Sequence, residues 1–125
     1  MPDKIFLEQL EVPCIIGIFD WERKVKQKLL IDLEMPVDVR KAARKDSIDA
    51  TLDYKGIAKR CISFISKSKY FLIETLAEDL AQLLLKEFRL KDIKLRVSKP
   101  GAIRGSRNVG IEIYRKAKKT RLKKS

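Results

Sequence analysis

The spacing of apolar residues changes period twice along this chain, from two to about 3.6 and back to two, and few folds accommodate that order. Ile5 and Leu7 alternate, and then Leu10, Val12, Cys14, Ile16 and Ile18 alternate on the opposite phase. The odd step from 7 to 10 predicts one long strand with a bulge or bend near Glu8-Gln9. Pro13 cannot donate to a ladder, so this strand belongs at a sheet edge or breaks there. Leu29, Ile31, Leu33, Met35 and Val37 make the second strand, paired antiparallel with the first. Residues 38–50 are polar, and Ala42-Ala43 hints at no more than a short helical turn.

The period then becomes helical. Asp53 is placed to cap a helix from Tyr54, whose apolar face is Ile57, Ala58, Cys61, Ile62 and Ile65. Ser66-Lys67-Ser68-Lys69 breaks the pattern, and a second helix follows from about Phe71 to Phe88. Its stripe is Leu72, Ile73, Leu76, Ala77, Leu80, Leu83, Leu84 and Phe88. Ile93, Leu95 and Val97, and later Val109, Ile111 and Ile113, return to a period of two. The order is β-β-α-α-β-β, an α+β layout in which two helices cover one face of a four-stranded antiparallel sheet. Such a sheet leaves two edges able to pair with other subunits.

At 125 residues the chain is sized for one domain, assigned to residues 1–115. Net charge is +12, but Arg115, Lys116, Lys118, Lys119, Arg121, Lys123 and Lys124 supply seven of it, leaving +5 for residues 1–114. Residues 116–125 are therefore expected to be a basic, solvated and disordered tail. No aromatic residue is interleaved there for base stacking, which argues against nucleic acid as a partner. No apolar run approaches the roughly 18 residues of a membrane span, and Met1-Pro2-Asp3-Lys4 begins no signal segment. A cytoplasmic protein is expected. Cys14 and Cys61 sit at apolar positions and read as buried reduced thiols. The chain has no histidine, which removes Ser-His-Asp and Cys-His catalysis and argues against a catalytic zinc.

Lys99 keeps the inward phase of Ile93, Leu95 and Val97, just before Pro100-Gly101 stop the strand. An inward ammonium is costly unless a partner or a task awaits it, although a snorkelling or salt-bridged lysine is the plainer account. Glu22 after the first strand, Tyr54 at the start of the first helix and Glu74 in the first turn of the second each have a plain account too. These are a solvated loop charge, a packing ring and a complement to the helix dipole.

Taken together, four separated motifs resemble the bacterial dihydroneopterin aldolase family of folate biosynthesis. They are Ile16-Gly17-Ile18-Phe19-Asp20-Trp21-Glu22, Thr51-Leu52-Asp53-Tyr54, Leu72-Ile73-Glu74 and Ser98-Lys99-Pro100-Gly101-Ala102, and the likeness spans residues 4–114. The resemblance implies the tunnelling fold and a homo-oligomer, an octamer of two stacked tetrameric rings with active sites between subunits. It implies no metal and no cofactor. Glu74, with main-chain groups around Ile73, would anchor the pterin ring. A carboxylate offers two acceptors to the two parallel N–H donors of the pyrimidine edge. Lys99 would be the general acid/base, Tyr54 a second proton-handling hydroxyl from the neighbouring subunit, and Glu22 a binding residue near the substrate tail.

The implied reaction splits 7,8-dihydroneopterin into 6-hydroxymethyl-7,8-dihydropterin and glycolaldehyde, with C2′ epimerisation as a side activity. A free lysine titrates at about 10.4, so a lysine base near neutrality calls for desolvation or a nearby cation. Two other readings compete. The epimerase of dihydroneopterin triphosphate shares the fold and a lysine at this place, but the Lys99-Pro100-Gly101-Ala102 run is more like the aldolase. A basic nucleic-acid-binding domain would explain the tail and none of the four motifs.

Overall fold

The computed structural model describes residues 3–118. Four strands, β1 (Lys4–Cys14), β2 (Gln27–Pro36), β3 (Asp92–Ser98) and β4 (Gly110–Lys116), form one antiparallel sheet in the order β1-β2-β3-β4. Three helices, α1 (Val39–Lys45), α2 (Tyr54–Lys67) and α3 (Ile73–Glu87), lie between β2 and β3 in sequence. The class is α+β. The helix count corrects the two-helix order read from the sequence. The Asp38 side chain caps α1 by accepting from Lys41 N–H at 3.1 Å, and Arg44 and Lys45 complement its C-terminal end. No α1 residue is fully buried, so this helix leaves no apolar stripe in the sequence.

β1 bends where its phase flips. Gln9 takes a positive φ of 52°, and the pairing steps from Leu7↔Leu33 to Leu10↔Ile31. The Gln9 N–H donates to the Asp32 carboxylate at 2.9 Å, which satisfies the donor that the bulge frees. Leu7, Leu10, Val12 and Cys14 all reach the core side as a result. Pro13 sits on an edge strand, where its missing N–H costs the ladder least. The strand ends at Cys14, four residues short of the alternation, because Gly17 turns the chain at a φ of 129° and leaves Ile18 exposed.

The covered sheet face and the helices share one core. Leu29, Ile31, Leu33, Met35, Ile93, Leu95 and Val97 meet Ile57, Cys61 and Ile65 of α2 and Leu76, Leu80 and Leu84 of α3. α2 packs on β1, and α3 packs on β3 and β4. Both cysteines are buried and free, as their apolar positions predicted. The other sheet face carries exposed ion pairs such as Lys4–Glu34 at 2.9 Å and Arg96–Glu112 at 3.4 Å. Pairs this open contribute little to stability. Residues 119–125, most of the expected basic tail, lie outside the described residues. No helix among the described residues is long and apolar enough to cross a membrane.

β3 and β4 approach very closely where β3 ends. A methyl group on Gly110 would lie 2.2 Å from the Val97 carbonyl oxygen and 2.8 Å from the Ser98 Cα, both backbone atoms that cannot rotate aside. Gly110→Ala should lower the free energy of unfolding by about 1–3 kcal/mol, read as a drop in denaturant midpoint. An unchanged midpoint would mean the strand pair relaxes freely.

Candidate active site

Cys14 at the end of β1 pairs with Gln27 at the start of β2, and Ser98 at the end of β3 pairs with Leu30 of β2. Three strand ends thus converge at one end of the sheet, and Lys99 is the next residue. Its N–H donates to Val109 O at 2.8 Å, which prolongs the β3–β4 ladder and keeps the side chain on the covered side. The Lys99 side chain is 16% exposed and its ammonium lies 3.1 Å from Glu22 Oε2, whose own side chain is 8% exposed. The inward lysine of the strand pattern is therefore real, and its partner is the Glu22 carboxylate.

Glu22 occupies a 3-10 turn, Asp20–Arg23, and is buried rather than a solvated loop charge. Its carboxylate has partners on both oxygens. Phe19 N–H donates to Oε1 at 3.1 Å, and Gln27 Nε2 donates to Oε2 at 3.2 Å beside the lysine. Burial on its own would raise this carboxyl, yet the donors from Phe19, Lys99 and Gln27 outweigh it and hold the group below its usual range. Gly17 makes room for the arrangement, because a Cβ there would lie 2.2 Å from the Glu22 carboxylate. Cys14 lies near enough to feel the Lys99 charge, but burial pushes its thiol up to about 11, so it stays protonated at neutral pH.

α3 turns into β3 through residues 88–91 and packs along it, so the helix start lies toward the strand end that carries Lys99. A hydrogen bond from Gly17 N–H to Tyr70 O, at 3.4 Å, ties the segment before α3 to the turn that holds Glu22. Ile73 and Glu74 open the helix as expected. Glu74 is exposed and forms no salt bridge among the described residues, which leaves both carboxylate oxygens open to a ligand.

Tyr54 is not part of this cluster. It begins α2, where the Asp53 side chain accepts from Gly56 N–H at 2.9 Å, and its ring is 52% exposed. It borders a separate cavity of about 550 Å³ walled by Ile5, Val37, Ala42, Ile48 and Leu52, and none of Glu22, Glu74 and Lys99 lines it. Within one chain Tyr54 thus stands apart from the Lys99–Glu22 pair.

Two contributors escaped the sequence reading, Gln27 and Arg23. Gln27 had a signal, since it shares the inward phase of Leu29 and Ile31, as Lys99 does on β3. A strand begun at Leu29 leaves it out. Arg23, one of 29 basic residues, had none.

The family model described as FolB, dihydroneopterin aldolase, matches residues 5–114. The chain belongs to the dihydroneopterin aldolase family. Among its relatives, the dihydroneopterin aldolase of Escherichia coli strain K12 is 42% identical over 113 residues, covering 90% of this chain and 93% of the relative. The dihydroneopterin aldolase of Haemophilus influenzae is 39% identical over 113 residues, covering 90% and 96%. The crystal structure of the Escherichia coli dihydroneopterin aldolase in complex with neopterin superposes with a TM-score of 0.87 at 42% identity, over 90% of this chain and 98% of that one.

The depressed Glu22 carboxyl has a consequence for stability. A group whose folded pKa lies below its unfolded one stabilises the fold fully above the unfolded value, near 4.5, and loses that contribution as pH falls through the folded value. Glu22→Gln removes the titration. The stability gap between native protein and variant should be widest at neutral pH and narrow as pH drops below 4.5, measured as urea midpoints across pH. A gap independent of pH would mean that the carboxylate is not what the cluster depends on.

Proposed function

We propose that this chain is a dihydroneopterin aldolase of folate biosynthesis, cleaving 7,8-dihydroneopterin by general acid/base chemistry centred on Lys99. The observation that carries the reading is the buried Lys99–Glu22 pair, 3.1 Å apart, at the end of β3. The cleavage breaks the bond between C1′ and C2′. Its electron pair enters the substrate's own N5=C6 imine, and the 2′-hydroxyl loses its proton as glycolaldehyde forms. The enol-like intermediate is then protonated at C1′. The substrate supplies the electron sink, so the protein has only to hold it and move protons.

Lys99, as its neutral amine, takes the 2′-hydroxyl proton, directly or through water, and Glu22 holds the ammonium that this transfer forms and faces the substrate tail. Glu74 holds the pyrimidine edge of the ring, joined by main-chain groups around Ile73. Tyr54 supplies the second hydroxyl from a neighbouring subunit. Supporting this are the separate cavity that Tyr54 borders and the two free sheet edges, β1 and β4. Exposed Phe19, Trp21 and Phe71 near the Glu22 turn add apolar surface that a second subunit would cover. We therefore place the site between subunits of a homo-octamer built from two tetrameric rings. Glycolaldehyde returning to the opposite face gives C2′ epimerisation. The working domain is residues 1–115, and a family match ending at residue 114 supports that boundary.

Incubation with 7,8-dihydroneopterin should release glycolaldehyde, and the triphosphate offered in its place should give far less turnover. The reverse preference would favour the triphosphate epimerase. Lys99→Ala should lower kcat by about 10²–10⁴-fold while neopterin binding stays within several-fold. Near-normal turnover would return Lys99 to a structural role. Glu74→Ala should instead weaken neopterin binding, by roughly 1.5–3 kcal/mol. A monomer by light scattering at micromolar concentration would contradict the shared site.

A further inference from the structure

The start of α3 has no cap of its own. Leu72 occupies the N-cap position and offers no side-chain acceptor, although Ser, Thr, Asp or Asn usually stands there. The segment that leads to it leaves α2 at Ser68 and includes Lys69, Tyr70 and Phe71, none of them in a helix or strand. Something outside the helix must fix the direction in which α3 sets out, because Ile73 and Glu74 follow at once.

Arg23 supplies that constraint. Its Nη1 donates to Gly17 O at 2.8 Å and to Tyr70 O at 2.9 Å, and its Nη2 donates to Lys69 O. The guanidinium carbon lies 4.1 Å from the centroid of the Phe71 ring, over its face. One side chain therefore grips three successive residues, 69 to 71, and binds them to the backbone of Gly17. Gly17 is the residue against which the Glu22 carboxylate rests. A planar fork with several donors can serve three carbonyls and stack on a ring together, whereas a lysine ammonium is a point charge that cannot stack flat.

We infer that Arg23 is a positioning residue for the pterin anchor. It sets the first turn of α3, and through it Glu74 and the main chain at Ile73, at the working distance from the Glu22–Lys99 pair. This rests on the proposed role of Glu74 as anchor. Arg23 touches neither the ring nor the reacting atoms, so its loss should act on binding rather than on proton transfer. Residues that orient a binding group commonly matter by a factor of ten or more.

The test uses the full chain with neopterin as probe. Arg23→Ala should raise the neopterin Kd roughly tenfold while kcat on 7,8-dihydroneopterin falls less than about threefold. Arg23→Lys, which keeps the charge and stem and is the gentler change for folding, should recover only part of that loss. In a Glu74→Ala background, Arg23→Ala should weaken binding by less than about twofold further, because both changes remove the same anchor. Hydrogen exchange without ligand should quicken at the amides of residues 70–76 in Arg23→Lys and stay unchanged in β2 and β3. That arm does not depend on what the protein binds, so it separates a failure of this inference from a failure of the aldolase reading. Unchanged exchange at residues 70–76, an unaltered Kd, full rescue by lysine, or losses that add in the Glu74→Ala background would each overturn it.

Discussion

A carboxylate buried at the end of a sheet is the constraint on which this molecule turns. Removing Glu22 from water is expensive unless each oxygen finds a donor. The donors come from the Phe19 N–H in the segment after β1, from the first residue of β2 and from the residue after β3. The carboxylate therefore joins three elements that are remote in sequence. Lys99 is 77 residues from Glu22, so the pair is a long-range contact that depends on β3 being brought beside the β1–β2 hairpin. Breaking it from one side would strand a charge in a place with little water, which is costlier than never having buried it.

The same grouping gives the site its rigidity. Lys99 cannot swing freely, because its backbone is tied to Val109 and its head to Glu22. Glu22 cannot swing because Phe19 and Gln27 hold it. Glu74, by contrast, stands exposed on the first turn of a helix whose direction is set by its surroundings. Lys99 and Glu22 are thus fixed by hydrogen bonds made within the chain, and the proposed ring anchor, Glu74, is left with its acceptors open. That division suits chemistry in which positioning is most of the catalysis.

Much of this was legible in the sequence, for physical reasons that differ from place to place. The bulge in β1 followed from one odd step in an alternation, because a side-chain period of two leaves no other way to keep Leu7 and Leu10 on one face. Asp53 as a cap and Lys99 as an inward charge followed in the same way, from position within a period. The short helix α1 showed only as a hinted turn at Ala42-Ala43, because a surface helix with no fully buried residue has no stripe to mark its extent. The plain account of Glu22 as a solvated loop charge fails because its burial depends on a backbone turn at Gly17 and on partners 5 and 77 residues away. Arg23 was invisible because its partners are carbonyl oxygens, which every residue carries. The family resemblance named the candidate positions, and the fold then accounts for why Glu22 and Lys99 meet while Tyr54 stands apart.

The bulge at Glu8-Gln9 bears on how chains of this kind can vary in length. Between Leu7 and Leu10 the first strand spends three steps while its partner, from Leu33 to Ile31, spends two. Removing one of the two bulge residues would leave an ordinary ladder, with every pairing above and below it unchanged. Removing any other single residue of β1 would invert the facing of everything on one side of the gap. This is therefore the point in the strand where evolution can gain or drop a residue without relocating the core, and a gap in an alignment of related chains belongs here rather than a few positions to either side.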